Sequence, residues 1–326
     1  MVWKVYEERN IKLQKMNIVC CTDSNYIMPC GVLLCSICEN NTQGDVCFHI
    51  IINKNVSIRE KESLISIVNR YKNKVTFYEI DESWVVNLPV GMAGQQSHIT
   101  LAAYFRLFLT EILPENLDRI LYLDCDIIVR HSLINLWNTD IENNAVGCVP
   151  DADDGQILNY NRLRYSQKLG YFNSGVLLIN LKYWRIHNVF DRFLLFIKQY
   201  PERILYHDQD IMNYVLKDEK LILPLKYNVT DGLLNKELHI SWEYELELSE
   251  ALKDPCILHY ISYDKPWIKH CAHPFKAEFL KYRDMTQWKN TPLLNRHLTW
   301  RKRVKYVLCK IGILSYQSTF RDDLFL

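Results

Sequence analysis

Short apolar runs alternate with stretches of helical spacing along most of the chain. Residues 17–22 (NIVCCT) are apolar, end in the polar cluster 23–26 and predict a strand. A helical stretch follows through residues 32–38. Residues 47–52 read as a buried strand, 58–71 set Leu64, Ile65, Ile67 and Val68 at helical spacing, and 75–80 alternate like a strand. Residues 97–112 are helical in composition and are stopped by Pro114 and Asn116. An apolar strand at 119–123 runs into Asp124-Cys125-Asp126. Further strands are expected at 145–149 and 175–179. A helix is expected at 189–199, where Phe190, Phe193, Leu194 and Ile197 fall on one side. Strand–helix alternation with short polar breaks predicts an α/β fold, a mostly parallel sheet flanked by helices on both faces. In such sheets ligands sit beyond the carboxyl ends of the strands. Asp23/Asn25, Asp124/Asp126, Asp151 and Asn173 lie at those ends, so one shared site is expected.

The composition narrows the function. With 48% hydrophobic and 24% charged residues in 326, the chain reads as an ordinary globular domain with a tail. A formal net charge of +1 gives no general attraction to nucleic acid, which is not expected as a partner. Eleven cysteines are scattered, several inside strand-like runs. Cys35 and Cys38 form a CxxC with no second CxxC, in a stretch (31–40) that reads as a helix end. Buried, reduced thiols and a reducing cytosol fit that pattern. Residues 1–15 are charged, carry no apolar core segment and are expected to be an N-terminal extension before Met16. No run is long enough to span a bilayer.

Asp124-Cys125-Asp126 is the sharpest chemical feature. In a strand, residues two apart face the same way, so both carboxylates can enter one site. Paired carboxylates repel unless a cation stands near, and a hard divalent ion resolves this while bridging a pyrophosphate. Alone the motif is weak, because two solvated acids at a strand end satisfy it equally well. His259 follows the apolar run 256–258, and histidine is a common third ligand that favours Mn²⁺ over Mg²⁺. Lys265, six residues on, could meet diphosphate oxygens, or be one more surface lysine. Asp208-Gln209-Asp210 opens a helical stretch, where acids often serve only as caps.

Six stretches together resemble the family 8 retaining glycosyltransferases of the GT-A fold, in particular the bacterial lipopolysaccharide glucosyl- and galactosyltransferases. They are residues 17–26 (NIVCCTDSNY), 104–107 (YFRL), 119–130 (RILYLDCDIIVR), 171–184 (YFNSGVLLINLKYW), 206–213 (YHDQDIMN) and 259–267 (HYISYDKPW). They occur in the family's order and imply a catalytic domain at 16–275. The resemblance implies metal ligation by Asp124, Asp126 and His259, with Mn²⁺ or Mg²⁺ as cofactor. It implies uracil and ribose contacts from Asp23, Asn25 and Tyr26, and donor contacts from Arg106, Asp124, Cys125, Asn173, Ser174, Asp208 and Gln209. Lys265 would contact the diphosphate, and His98 the acceptor side. Gln209, Asp208 and Lys265 become the catalytic candidates, the donor UDP-glucose or UDP-galactose, the acceptor a glycolipid or oligosaccharide. Gln209 is a poor nucleophile, so same-face substitution is favoured over a covalent intermediate, with a route through Asp208 left open. The chain departs from the family at Ser174, where Ala is frequent, and at Ser262 and Tyr263, in a segment where Gly is frequent.

Residues 276–326 change character. Val304, Val307, Leu308 and Ile311 share a helical face, with Arg301, Lys302 and Lys305 elsewhere on the turn. A basic amphipathic helix suits an anionic membrane surface, and a helix packed on the catalytic domain is the alternative. Peripheral attachment to the inner face of the cytoplasmic membrane is therefore expected. Three other readings compete: an aspartyl-phosphate phosphatase, whose Asp-x-Asp lies on the first strand; a nucleotide-sugar binding protein without transfer activity; and a glycogenin-like, self-glucosylating primer of storage polysaccharide.

Overall fold

The computed structural model describes residues 15–42, 45–84, 88, 101–295, 304, 320 and 321. Among them are strands β1 (Met16–Thr22), β2 (Val46–Asn53), β3 (Lys74–Ile80), β4 (Arg119–Leu123), β5 (Ile127–Val129), β6 (Val146–Pro150), β7 (Phe172–Asn180), β8 (Lys220–Ile222), β9 (Val229–Thr230) and β10 (Ile257–His259). Seven form one sheet in the order β3-β2-β1-β4-β7-β6-β8, and β5-β10-β9 form a small second sheet. The large sheet is mostly parallel, as the alternation of elements predicts. β7 is the exception, antiparallel to both β4 and β6.

Parallel strands covered on both faces need apolar side chains in both directions. β2 meets this with all eight residues of VCFHIIIN buried. Along β1, Ile18 and Cys20 join the core on one face and Val19 the core on the other. The helix Ile58–Arg70 begins where sequence chemistry dictates. Ser57 accepts from the Glu60 backbone N–H at 3.3 Å, and the Glu60 carboxylate accepts from the Ser57 N–H at 2.7 Å.

The expected helix at 189–199 is present as Val189–Gln199. The expected helix end at 31–40 is the carboxyl-terminal part of the helix Ile27–Asn40, where Cys35 and Cys38 are both buried. That helix is covered on nearly every side, so no polar face marks its limits. Residues after 275 supply part of the cover. The Asn40 amide donates to the Tyr282 hydroxyl at 2.8 Å, and a Cβ at Gly31 would overlap the Trp288 ring. The stretch expected as one helix over 97–112 is a 3₁₀ segment, Leu101–Phe108, continued by the short helix Leu109–Ile112, and residues 97–100 lie outside the described residues. So do residues 1–14 of the expected extension and, but for Val304, the expected basic helix. The described cysteines are all free thiols. Among the described residues no helix is long and apolar enough to cross a membrane.

Candidate active site

The reversed direction of β7 is what assembles the site. β4 runs toward Asp124 and β7 starts at Phe172, so the first residues of β7 stand beside the last of β4. The Asp124 N–H donates to the Gly175 carbonyl at 2.9 Å. β6 ends next to Asp151, and β10 delivers His259 from the small sheet. Its successor Tyr260 donates its N–H to the Asp126 carbonyl at 3.0 Å.

Asp124, Cys125 and Asp126 are not within a strand, contrary to the period-two argument. They form the turn between β4 and β5. The carboxylates converge all the same. His259 Nε2 lies 3.2 Å from Asp126 Oδ1 and 3.8 Å from Asp124 Oδ2. Ligand atoms of these three side chains lie within 4.8 Å of one another, the one such metal-compatible group among the described residues.

The tautomer of His259 follows from a backbone donor. The Gly175 N–H can only donate, and it donates to Asn173 Oδ1 at 3.0 Å. The same oxygen lies 2.8 Å from Asn228, which must therefore present its amide nitrogen. Asn228 Oδ1 is left to accept from His259 Nδ1 at 3.0 Å. His259 Nε2 then points a lone pair at the space between two carboxylates. That donor set, one imidazole nitrogen and two carboxylate oxygens with a carbonyl-type partner behind the ring, fits a divalent cation. Gly175 keeps the space open. A Cβ there would overlap the His259 ring and stand 2.8 Å from Asp124 Oδ2. Gly175→Ala is therefore expected to weaken Mn²⁺ binding by about 10–100-fold and to cost about 1–3 kcal/mol of stability, as calorimetric titration of metal into both proteins and their urea denaturation would show.

Basic groups flank the carboxylates. Arg106, on the 3₁₀ segment and 5% exposed, donates to Asp124 Oδ1 at 2.7 Å, to the Ser174 carbonyl at 2.6 Å and to Ser174 Oγ at 3.2 Å. Its Nε lies 3.2 Å from Asp208 Oδ2. The guanidinium stacks over the Tyr122 ring, whose hydroxyl also donates to Asp124 Oδ1, at 2.9 Å. Lys265 Nζ donates to Asp126 Oδ2 at 2.7 Å and to the Tyr260 carbonyl at 2.5 Å. Burial alone would push the Lys265 ammonium down, but Asp126 beside it holds it above its ordinary value. Burial would likewise raise the Asp126 carboxyl, yet the Lys265 ammonium beside it outweighs burial and holds it well below the usual range.

Asp208 is set differently. Burial pushes it up to about 6, against the pull of Arg106, whose charge is shared with Asp124. An aspartate raised in the folded chain takes up a proton there before it does so unfolded, where the value is about 3.9. In metal-free protein this group therefore adds stability as the pH falls through 6 toward 4. Lowering the pH from 7 to 5 is expected to favour the wild type over Asp208→Asn by about 1 kcal/mol, read by urea denaturation at both pH values.

Gln209 is fixed at both ends. Its Oε1 accepts from the Ser174 N–H at 3.1 Å and from Asn173 at 3.2 Å, and its Nε2 donates to the Tyr171 hydroxyl at 3.2 Å and to Asp151 at 3.3 Å. Asp210 is fully buried and accepts from Arg162, Tyr171 and the backbone N–H groups of Leu205 and Tyr206.

The structure thus brings Arg106, Asp124, Asp126, Asn173, Ser174, Asp208, Gln209, His259 and Lys265 into one network. Tyr26 packs edge-on against Trp267 at 5.7 Å, and burial pushes its hydroxyl up to about 12. Asp23 caps the 3₁₀ turn Ser24–Tyr26, accepting from the Asn25 N–H at 2.9 Å. The Cys125 thiol is committed to the Cys21 carbonyl at 3.2 Å. His98 lies outside the described residues. Gly175, Asn228 and Tyr122 escaped the sequence reading. A glycine inside a strand-like run was the available signal for the first.

Residues 17–271 match the family described as Glycosyl transferase family 8. The chain is 29% identical over 310 residues to the lipopolysaccharide glucosyltransferase WaaO of Escherichia coli, spanning 92% of this chain and 87% of the relative. It is 27% identical over 288 residues to the lipopolysaccharide 1,3-galactosyltransferase of Salmonella typhimurium, spanning 86% and 81%. Among solved structures, the galactosyltransferase LgtC in complex with donor and acceptor sugar analogs superposes with a TM-score of 0.76 at 26% identity, over 84% of this chain and 99% of that one.

Proposed function

This chain belongs to glycosyl transferase family 8, and on that premise we propose that it moves glucose or galactose from a UDP-sugar to a saccharide acceptor, with retention and in a metal-dependent manner. The reading rests above all on the convergence of Asp124, Asp126 and the His259 Nε2 lone pair. These three would hold the ion, and the imidazole favours Mn²⁺ over Mg²⁺. A divalent ion bound there supplies positive charge to the diphosphate as the sugar leaves. Lys265 offers an ammonium to the same oxygens. Asp23, Asn25 and Tyr26 take uracil and ribose, the Cys125 backbone lies along the donor, and Arg106, Asn173, Ser174, Asp208 and Gln209 surround the hexose. His98 faces the acceptor.

Retention follows by same-face substitution. A covalent route needs a carboxylate free to attack the anomeric carbon. Asp208 is engaged by Ser174 at 2.9 Å and by Arg106, and Asp210 is fully buried under its donors. The acceptor oxygen instead bonds to the anomeric carbon as the bond to the diphosphate breaks, and its proton passes to the departing diphosphate. Gln209, locked in orientation by Ser174, Asn173, Tyr171 and Asp151, lies beside the sugar as a neutral group. The acceptor is a lipopolysaccharide-type glycolipid or related oligosaccharide, and the basic segment 300–314 attaches the enzyme to the inner face of the cytoplasmic membrane. Unchanged cosedimentation with anionic vesicles after Arg301, Lys302 and Lys305 are replaced by glutamate would contradict that attachment.

The deciding test is a screen of UDP-glucose, UDP-galactose and related donors for hydrolysis with Mn²⁺ or with EDTA. Cleavage of one UDP-hexose, stopped by EDTA, is expected. Release of phosphate from a simple phosphoester with no response to UDP-sugars would favour phosphatase chemistry instead.

A further inference from the structure

Lys265 sits on a loop, yet it meets Asp126 with a defined geometry, so something must hold that loop. The small sheet shows what does. Asp231 follows β9 directly, and its Oδ2 accepts from the Ser262 backbone N–H at 2.5 Å, three residues before Lys265. Its Oδ1 lies 2.7 Å from His273 Nε2, in ion-pair contact but out of line for a hydrogen bond, and both side chains are almost fully buried. The Phe275 N–H donates to His273 Nδ1 at 3.1 Å. A backbone N–H can only donate, so that nitrogen carries no proton and the neutral ring carries its proton on Nε2, the atom that stands against Asp231. The imidazole is packed between Tyr260, at 4.6 Å, and Phe320, at 5.4 Å. Phe320 is itself anchored by a bridge to Asn235 and by the Arg321 N–H donating to the Leu234 carbonyl at 2.9 Å.

We propose that Asp231 and His273 are positioning residues for Lys265, and that Phe320, close to the carboxyl end of the chain, completes their support. The path is continuous: Phe320 covers His273, His273 stands against the Asp231 carboxylate, Asp231 holds the Ser262 amide, and the loop presents Lys265 to Asp126. Two neighbouring contacts fix the rest of the loop, since Lys265 also donates to the Tyr260 carbonyl and the Cys271 thiol donates to the Asp264 carbonyl at 2.8 Å. Part of the chain beyond the family match at 17–271 thereby supports the catalytic loop. The inference rests on Lys265 meeting the donor diphosphate, as proposed above.

The test uses full-length protein carrying Asp231→Ala, Phe320→Ala, Lys265→Ala, or Asp231→Ala with Lys265→Ala. Amide hydrogen exchange of residues 261–265 is measured in EDTA, and UDP affinity is measured with Mn²⁺ by calorimetry. Asp231→Ala is expected to speed exchange and to weaken UDP binding by about tenfold each. Phe320→Ala, the milder change, is expected to act in the same direction by about threefold and decides the matter if Asp231→Ala does not fold. In the Lys265→Ala background the Asp231 substitution is expected to cost no further UDP affinity. Unchanged exchange in the loop, or an undiminished loss of affinity without Lys265, would overturn the proposal. A wild-type protein that binds no UDP would sink the donor reading, while the exchange measurement still decides whether Asp231 and Phe320 hold the loop.

Discussion

Asp126→Ala is expected to lower Mn²⁺-dependent UDP-hexose turnover by about 10³-fold or more and to abolish tight metal binding. Three consequences combine. One of two anionic ligands is lost, so His259 and Asp124 alone face the ion. The Lys265 ammonium loses the carboxylate that holds it at 2.7 Å. The Asp126 carboxylate, kept ionised by Lys265 despite burial, has no neighbour able to replace it. Asp126→Asn preserves the shape but puts a neutral amide beside Lys265, and it should fall nearly as far in turnover. Steady-state rates across a Mn²⁺ series, with circular dichroism to confirm folding, check this. Turnover within about tenfold of wild type would remove the aspartate from the site.

Arg106→Leu is expected to cost about 3–5 kcal/mol of stability as well as activity. The side chain joins Asp124, Asp208 and Ser174 from a buried position. Its removal leaves two carboxylates facing each other with their shared cation gone, and that uncompensated charge, not the missing contact, carries the cost. Arg106→Lys restores the charge without the planar fork that spans three partners, so it recovers only part of the loss. Urea unfolding at pH 7 in EDTA measures the effect. Added Mn²⁺ should narrow the gap, because a bound cation relieves Asp124.

The sequence carried the architecture well where burial is two-sided. β1, β2 and β4 are apolar runs because both faces are covered, while the edge strand β3 alternates, and the polar residues after β1 and β4 mark the edge where the site lies. It carried less where direction or brevity matters. Hydrophobic period does not encode strand direction, so the antiparallel course of β7, which sets Asn173 and Ser174 beside Asp124, was invisible. β8 and β9 are only three and two residues long, too short to show a period. The three ligands were legible as chemistry at Asp124 and Asp126, and His259 as a strand-end histidine that could be a third ligand, but only the family resemblance tied it to them, since nothing local to residues 256–259 reveals a partner so far back in the chain. Asn228 and Tyr122 could not be found at all. An asparagine in a loop and a tyrosine in a strand gain their roles only from the groups folding brings alongside. Asp231 and His273 were passed over for the same reason.

Electron paramagnetic resonance of Mn²⁺ titrated into the protein tests the central claim most directly. One Mn²⁺ per chain should leave the free-ion signal in wild type, the bound spectrum should change on adding UDP, and both effects should vanish in Asp126→Ala and in His259→Ala. Mn²⁺ that stays free in the wild type with UDP present, or that binds equally well without Asp126 and His259, would contradict the account.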